Sequence, residues 1–214
     1  TQEHILSYKL DDNQIDKENG KTLSTIGFKN FTIKNKEIKK MKKIFVSYSR
    51  KDMEYRDELR KHLNMLKTFD VADNWACEDI KIGKWHDQIQ KELEESDVII
   101  YMLSANFFSS SYILDQEVVK GMKLIAENPN KRIVPVLVSE FVGLDKLKNM
   151  TPNPTEEQEA ILGLGDYQYL AYSKSLNNLT NQNEEHIMTL KEFSNRNELE
   201  KGLSQIVEKI IKIL

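Results

Sequence analysis

Lys43-Ile44-Phe45-Val46-Ser47-Tyr48-Ser49-Arg50-Lys51-Asp52 opens a stretch that continues through Asp79-Ile80-Lys81-Ile82-Gly83-Lys84-Trp85. It runs on to Ser96-Asp97-Val98-Ile99-Ile100-Tyr101-Met102-Leu103-Ser104-Ala105-Asn106-Phe107-Phe108 and closes with Tyr112 and Glu117. Ile44, Phe45 and Val46 are continuously apolar, and so is the run Val98–Leu103. A strand covered on both faces requires such runs. Each run ends in a Ser/Asn-rich turn, and residues at helical spacing follow. Two units of this kind side by side make a parallel sheet whose polar turns gather at one edge. In open α/β sheets that edge, at the carboxyl ends of the strands, is where ligands bind.

Outward from this stretch, Ser49 with Asp52 three residues on has the form of a helix start, the hydroxyl capping an orphan N–H while the carboxylate reaches back. Tyr55, Leu59, His62, Leu63 and Leu66 then recur at helical spacing, with His62 a boundary residue. Residues 68–72 read as a weak second strand. Residues 73–84 carry Trp75, Cys77, Glu78, Asp79 and Gly83 without any period, and read as a long functional loop with an exposed Trp75. Trp85, Ile89 and Leu93 share a helix face that Ser96-Asp97 ends. Residues 106–127 read as one helix, with Phe107, Leu114, Val118, Met122 and Ile125 in a narrow stripe and Glu117 on its border. Residues 132–138 form another apolar strand, in which Pro135 signals an edge position or a bulge.

The remainder is plainer. Residues 156–162 suggest a short helix, 167–172 a short strand and 177–185 a polar insertion. Ser194-Asn195-Arg196-Asn197-Glu198 caps an amphipathic helix carrying Leu199, Leu203, Ile206, Val207 and Ile210. Residues 1–42 have no sustained period and end in a lysine-rich run, which reads as an N-terminal extension or linker. The expected fold from residue 43 to 214 is therefore α/β: a three-layer, flavodoxin-like parallel sheet of four or five strands with helices on both faces.

Composition narrows the function. A formal net charge of −3 does not point to nucleic acid or an anionic membrane as partner. No apolar run reaches the length of a membrane span. One cysteine, Cys77, excludes an internal disulfide and makes a cytoplasmic setting the simplest expectation. His4, His62, His86 and His186 are scattered and give no metal-ligand spacing. Neither the Gly-x-x-x-x-Gly-Lys-Ser/Thr nor the Gly-x-Gly-x-x-Gly phosphate loop is present. A phospho-receiver needs an acidic pair near its first strand and an aspartate ending the third; here those strands end in Ser47-Tyr48-Ser49 and Leu103-Ser104. Arg50-Lys51-Asp52 makes no flavin phosphate loop either.

The stretch from Lys43 to Asp52 resembles the first box of Toll/interleukin-1 receptor (TIR) domains, an apolar strand followed by Ser-Tyr/Phe-Ser and an acidic residue. Asp79-Ile80-x-x-Gly83-x-Trp85 resembles the second box of bacterial-type members. Ser96-Asp97-Val98 and Leu103-Ser104-x-Asn106-Phe107 resemble the third strand and its exit. Ser110-Ser111-Tyr112 with Glu117 resembles the segment bearing that family's catalytic glutamate, although many enzymatic relatives have Trp or Tyr where Tyr112 stands. Val134-Pro135-Val136 is similar to the fourth strand, and residues 193–198 to the lead into the last helix. No single box is specific; their order and spacing together are.

The resemblance implies a TIR fold and two activities. Many TIR domains assemble as interaction modules, through the loop before Trp85. Others cleave NAD at the nicotinamide–ribose bond, giving ADP-ribose, a cyclic isomer or a conjugate, in immune or anti-phage signalling. For this chain it implies an NAD nucleosidase activated by self-association through TIR–TIR contacts, with NAD as substrate, no separate cofactor, and room for an upstream sensor domain or partner protein. The alternative is a non-catalytic adaptor. Glu117 takes the catalytic position. Ser47, Tyr48, Ser49 and Arg50 are expected to hold the substrate together with Asp79, and Trp85 and Tyr112 to offer aromatic surface to its rings. On the residues alone Glu117 is an ordinary helix-border glutamate: partial burial raises its pKa and Arg50 or Lys84 lowers it, so the sequence leaves the value open.

Overall fold

The computed structural model describes residues 40–76, 85–170, 172–175 and 185–214. Asp79, Cys77, Gly83 and Lys84 therefore lie outside the described residues, as do the lysine-rich run before residue 40 and most of the polar insertion at 177–185.

Four strands form one parallel sheet in the order β2-β1-β3-β4: β1 Lys42–Ser47, β2 Ala72–Ala76, β3 Val98–Leu103 and β4 Arg132–Leu137. β1 and β3 are the inner pair, and their unbroken apolar runs are what two covered faces demand. Alternation divides the side chains. Ile44, Val46, Val98, Ile100 and Met102 face a layer made by α1 (Met53–Thr68) and α7 (Arg196–Ile211). Phe45, Ile99, Tyr101 and Leu103 face the opposite layer, made by α2 (Trp85–Glu95) and the helical segments that follow β3. Leu59, Leu63 and Leu66 of α1 are buried as their spacing predicts, and His62 sits at the boundary, its Nδ1 3.3 Å from Ser204 Oγ. The α/β architecture with helices on both faces is as the sequence reading expects.

Three expectations need correction. The second strand is not 68–72 but Ala72–Ala76, because α1 continues to Thr68 and closes with Val71 N–H bonded to Leu66 O at 2.8 Å and Asp70 N–H to Lys67 O at 3.1 Å. This is a left-handed helix stop, with Asp70 at φ 53°. As a consequence, Trp75 is not on an exposed loop. It lies in β2, half-buried, its ring stacked on Phe45 at 5.4 Å. Residues 106–127 are not one helix either. They divide into α3 (Ala105–Phe108), a π-helical segment (Ile113–Val118) and α4 (Val119–Glu127).

Pro135 does lie on an edge strand. Pro135 O accepts from Leu170 N at 2.7 Å and Leu137 N donates to Leu170 O at 3.2 Å, so the odd residues of β4 bond outward. The missing proline N–H thus faces away from β3 and costs the sheet no ladder bond. α5 (Leu144–Met150) and α6 (Glu156–Leu162) follow, α6 with a Thr155/Gln158 capping box. A small antiparallel pair, β5 (Tyr172–Ser175) with β6 (Glu185–Met188), precedes α7, whose start Asn195 caps by accepting from Glu198 N at 3.0 Å. Among the described residues no helix is long and apolar enough to cross a membrane.

Candidate active site

β1 and β3 deliver their turns to the same edge, at the point between these two strands where the strand order changes direction. Ser47 ends β1 opposite Tyr101 of β3, and both side chains point into the layer that holds the post-β3 helices. Glu117 enters this layer from the π-helical segment. It is 5% exposed, against the border position that a 3.6-residue period assigns it. The π segment explains the difference. A turn of i+5 rather than i+4 bonding, as in Val119 N–H to Leu114 O, rotates residue 117 off the α-helical wheel.

Burial pushes the Glu117 carboxyl up to about 7, with the Ser47 hydroxyl pulling against it. Ser47 Oγ is itself buried and makes no hydrogen bond of normal geometry among the described residues. It is near enough to favour the carboxylate without being engaged by it. A buried carboxyl of raised pKa beside a buried hydroxyl that lacks a hydrogen bond of normal geometry is the kind of exception that native interiors keep for a reason.

The Tyr101 hydroxyl donates to the backbone carbonyl of Glu117 at 2.8 Å. One turn N-terminal of Glu117, Tyr112 packs against Trp85 with ring centroids 4.4 Å apart, and His86 meets the Tyr112 ring edge-on at 6.0 Å with its Nδ1 3.1 Å from the hydroxyl. Trp85 is 38% exposed, so this aromatic cluster opens to solvent rather than filling the core. His86 is a member that sequence reasoning passed over. Its signal was only its place next to Trp85.

The turn after β1 divides. Ser49 is buried and Arg50 exposed at the start of a 3₁₀ turn. Tyr48, one residue from Ser47, necessarily faces the other layer; it is 4% exposed, with the Arg56 guanidinium 4.6 Å over its ring. The structure therefore brings Ser47, Glu117, Trp85 and Tyr112 to the post-β3 layer and seats Tyr48 in the α1/α7 core.

Asp52 also departs from the sequence expectation. It makes no side-chain cap with Ser49. Fully buried, it accepts from Ser104 Oγ at 2.5 Å, Asn106 Nδ2 at 3.0 Å and Lys191 Nζ at 2.9 Å. Burial raises its pKa, but the bonds from Ser104, Lys191 and Asn106 outweigh it and hold the carboxyl below the usual aspartate range. Asp52 ties the β1 exit to the β3 exit and to the turn before α7. Its partners lie up to 139 residues away, where no local pattern could reveal them. Among the described residues no group of His, Cys, Asp or Glu could hold a metal ion.

Comparison with known proteins gives the family. Over 84 residues the chain is 36% identical to the uncharacterized protein y4lF of Sinorhizobium fredii (strain NBRC 101917 / NGR234), a match that takes in 39% of this chain and 26% of that protein. Among solved structures, the RPS4 and RRS1 TIR domain heterodimer aligns with a TM-score of 0.35 at 17% identity, covering 57% of this chain and 93% of that one. The TIR domain profile matches residues 44–185, from the first strand to the start of β6. That match spans most of the chain, every strand of the main sheet and the segment that carries Glu117: the chain belongs to the TIR domain family.

Proposed function

We propose that the protein cleaves NAD at the nicotinamide–ribose bond, with Glu117 as the catalytic carboxylate. The observation that carries this reading is the buried Glu117 carboxyl, raised to about 7, beside the unengaged Ser47 hydroxyl at the carboxyl edge of the sheet. The nicotinamide of NAD is already a cationic leaving group, so its departure needs no strong acid. The transition state is oxocarbenium-like, as in glycoside cleavage. One carboxylate that binds the ribose hydroxyls and faces the developing positive charge supplies most of what is needed. Ser47 accepts or donates a hydrogen bond to the same ribose. Ser49 and Arg50 serve the diphosphate, and the Trp85–Tyr112 pair offers a ring face to the nicotinamide or adenine.

Mass spectrometry of products after incubation with NAD, across a range of protein concentrations, tests the reading. Turnover per protomer is expected to rise with concentration, because activation is proposed to come from self-association. Glu117→Gln keeps size and removes charge; it should lower turnover about a hundredfold or more, the scale of losing a key electrostatic group. Glu127→Gln, at the end of α4, should be nearly silent. Wild-type turnover by folded Glu117→Gln protein would sink the assignment.

The second reading is a non-catalytic adaptor that works by TIR–TIR contacts alone. Its support is an apolar surface around Phe108 and Phe141, where Val142 and Leu147 are exposed. Absence of NAD turnover at every concentration that yields assemblies selects it.

A further inference from the structure

Tyr101 is fully buried in the middle of β3, and Phe107 packs edge-on to its ring at 5.8 Å. Its hydroxyl reaches past the helix surface to the Glu117 carbonyl oxygen. It can do so because the next turn presents Gly121: a Cβ there would lie 2.0 Å from the Tyr101 hydroxyl oxygen and 3.3 Å from Cζ. Glycine weakens a helix, and its presence in α4 is explained by this close approach. Burial first, and then the charge of Glu117, hold the Tyr101 phenol far above its usual range, so it remains a donor.

We propose that Tyr101 is the positioning residue of the Glu117 site: its hydroxyl, admitted by Gly121, pins the Glu117 carbonyl and keeps Ile113–Val118 in the π register that turns the carboxyl toward Ser47. A side chain that bonds into a helix ladder is one of the few causes that bend or re-register it. Without the bond the segment relaxes toward i+4 bonding. Residue 117 then moves to the border of the apolar stripe, where a 3.6-residue period assigns it. The kinetic part of the proposal rests on the NAD-cleavage reading; the structural part does not.

Tyr101→Phe deletes one oxygen, and Gly121→Ala keeps the hydroxyl but displaces it. Leu59→Ala, in the opposite core layer, is the control that lowers stability without touching the site. Two quantities are read: the titration midpoint of the Glu117 carboxyl by carbon-13 NMR, assigned with Glu117→Gln, and kcat and KM for NAD. In Tyr101→Phe the midpoint is expected to fall from about 7 toward the ordinary glutamate value of 4.5. kcat should drop about tenfold to a hundredfold, the cost of a misplaced catalytic group, with a smaller change in KM. Leu59→Ala should lower Tm and move neither quantity. If Tyr101→Phe loses stability yet keeps both midpoint and kcat, the hydroxyl is only structural and the proposal is overturned. If the parent turns over no NAD, the enzymatic reading fails and the titration alone decides the positioning role. Should Tyr101→Phe not fold, Gly121→Ala is judged by the same two measurements.

Discussion

Glu117 is a carboxyl whose ordinary pKa is 4.5 and whose pKa in the fold is about 7. At neutral pH it is thus a nearly even mixture of forms. Only the carboxylate meets an oxocarbenium ion favourably, so kcat/KM for NAD should climb through about pH 7 and level off above it. A pH profile flat across that range would contradict the role. Neither the burial nor the pKa was legible in the sequence, because both depend on a π turn that a 3.6-residue wheel cannot represent. Asp52 was misread for another reason. Ser49 and Asp52 have the spacing of a cap, while the partners that engage Asp52 come from β3's exit and from Lys191. Asp52→Asn leaves the Lys191 ammonium without its charge partner and should cost about 2–4 kcal/mol in denaturant titration. Had Asp52 been merely a cap, the loss would be nearer 1 kcal/mol.

The elements were read well wherever their side chains repeat. The inner strands declared themselves by apolar runs and α1 and α7 by their stripes, and the Asn195 cap stands at the place the sequence gives it. β2 was misplaced by four residues because its alternation, Ala72, Asn74 and Ala76 buried, uses small and polar residues that carry little hydropathy. The stop of α1 explains the same slip. Asp70 takes the left-handed conformation that usually belongs to glycine, so the sequence lacks the customary mark. Asp70→Gly should therefore raise stability by up to about 1 kcal/mol, the relief of the Cβ strain less the added freedom of the unfolded chain. Thermal melts at matched pH will check it, and a clear loss would mean that the Asp70 side chain does more than tolerate its backbone. Trp85, Tyr112 and His86 meet in one aromatic cluster, a contact between two elements that no local spacing announces.

At the scale of the molecule, Asp52 and Glu117, the two buried carboxyls among the described residues, oppose one another in pH. Asp52 has a lowered pKa in the fold, so its contribution to stability is complete above the ordinary value of 3.8 and is lost as pH falls through the depressed one. Glu117 has a raised pKa, so its contribution is complete below 4.5 and is lost as pH rises through about 7. Stability should therefore decline from about pH 5 to about pH 8, by roughly 3 kcal/mol if Glu117 alone governs the slope. In Glu117→Gln the same span should be nearly flat, which calorimetry can decide. The parallel architecture was legible because strand and helix periods alternate along the chain. The way its distant turns interlock at the carboxyl edge was not, since that depends on pairs such as Asp52 with Lys191 and Tyr101 with Gly121.

Pro135 has a consequence for life at high local concentration. A protein proposed to act when its copies crowd together also risks joining them in the wrong way, by adding one molecule's strand to the border of another's sheet. On the β4 side that border offers little to join. Leu170 already occupies the outward groups of Pro135 and Leu137, and the proline has no donor to give. Aggregation by strand addition is thereby discouraged on this flank, leaving assembly to proceed through folded surfaces.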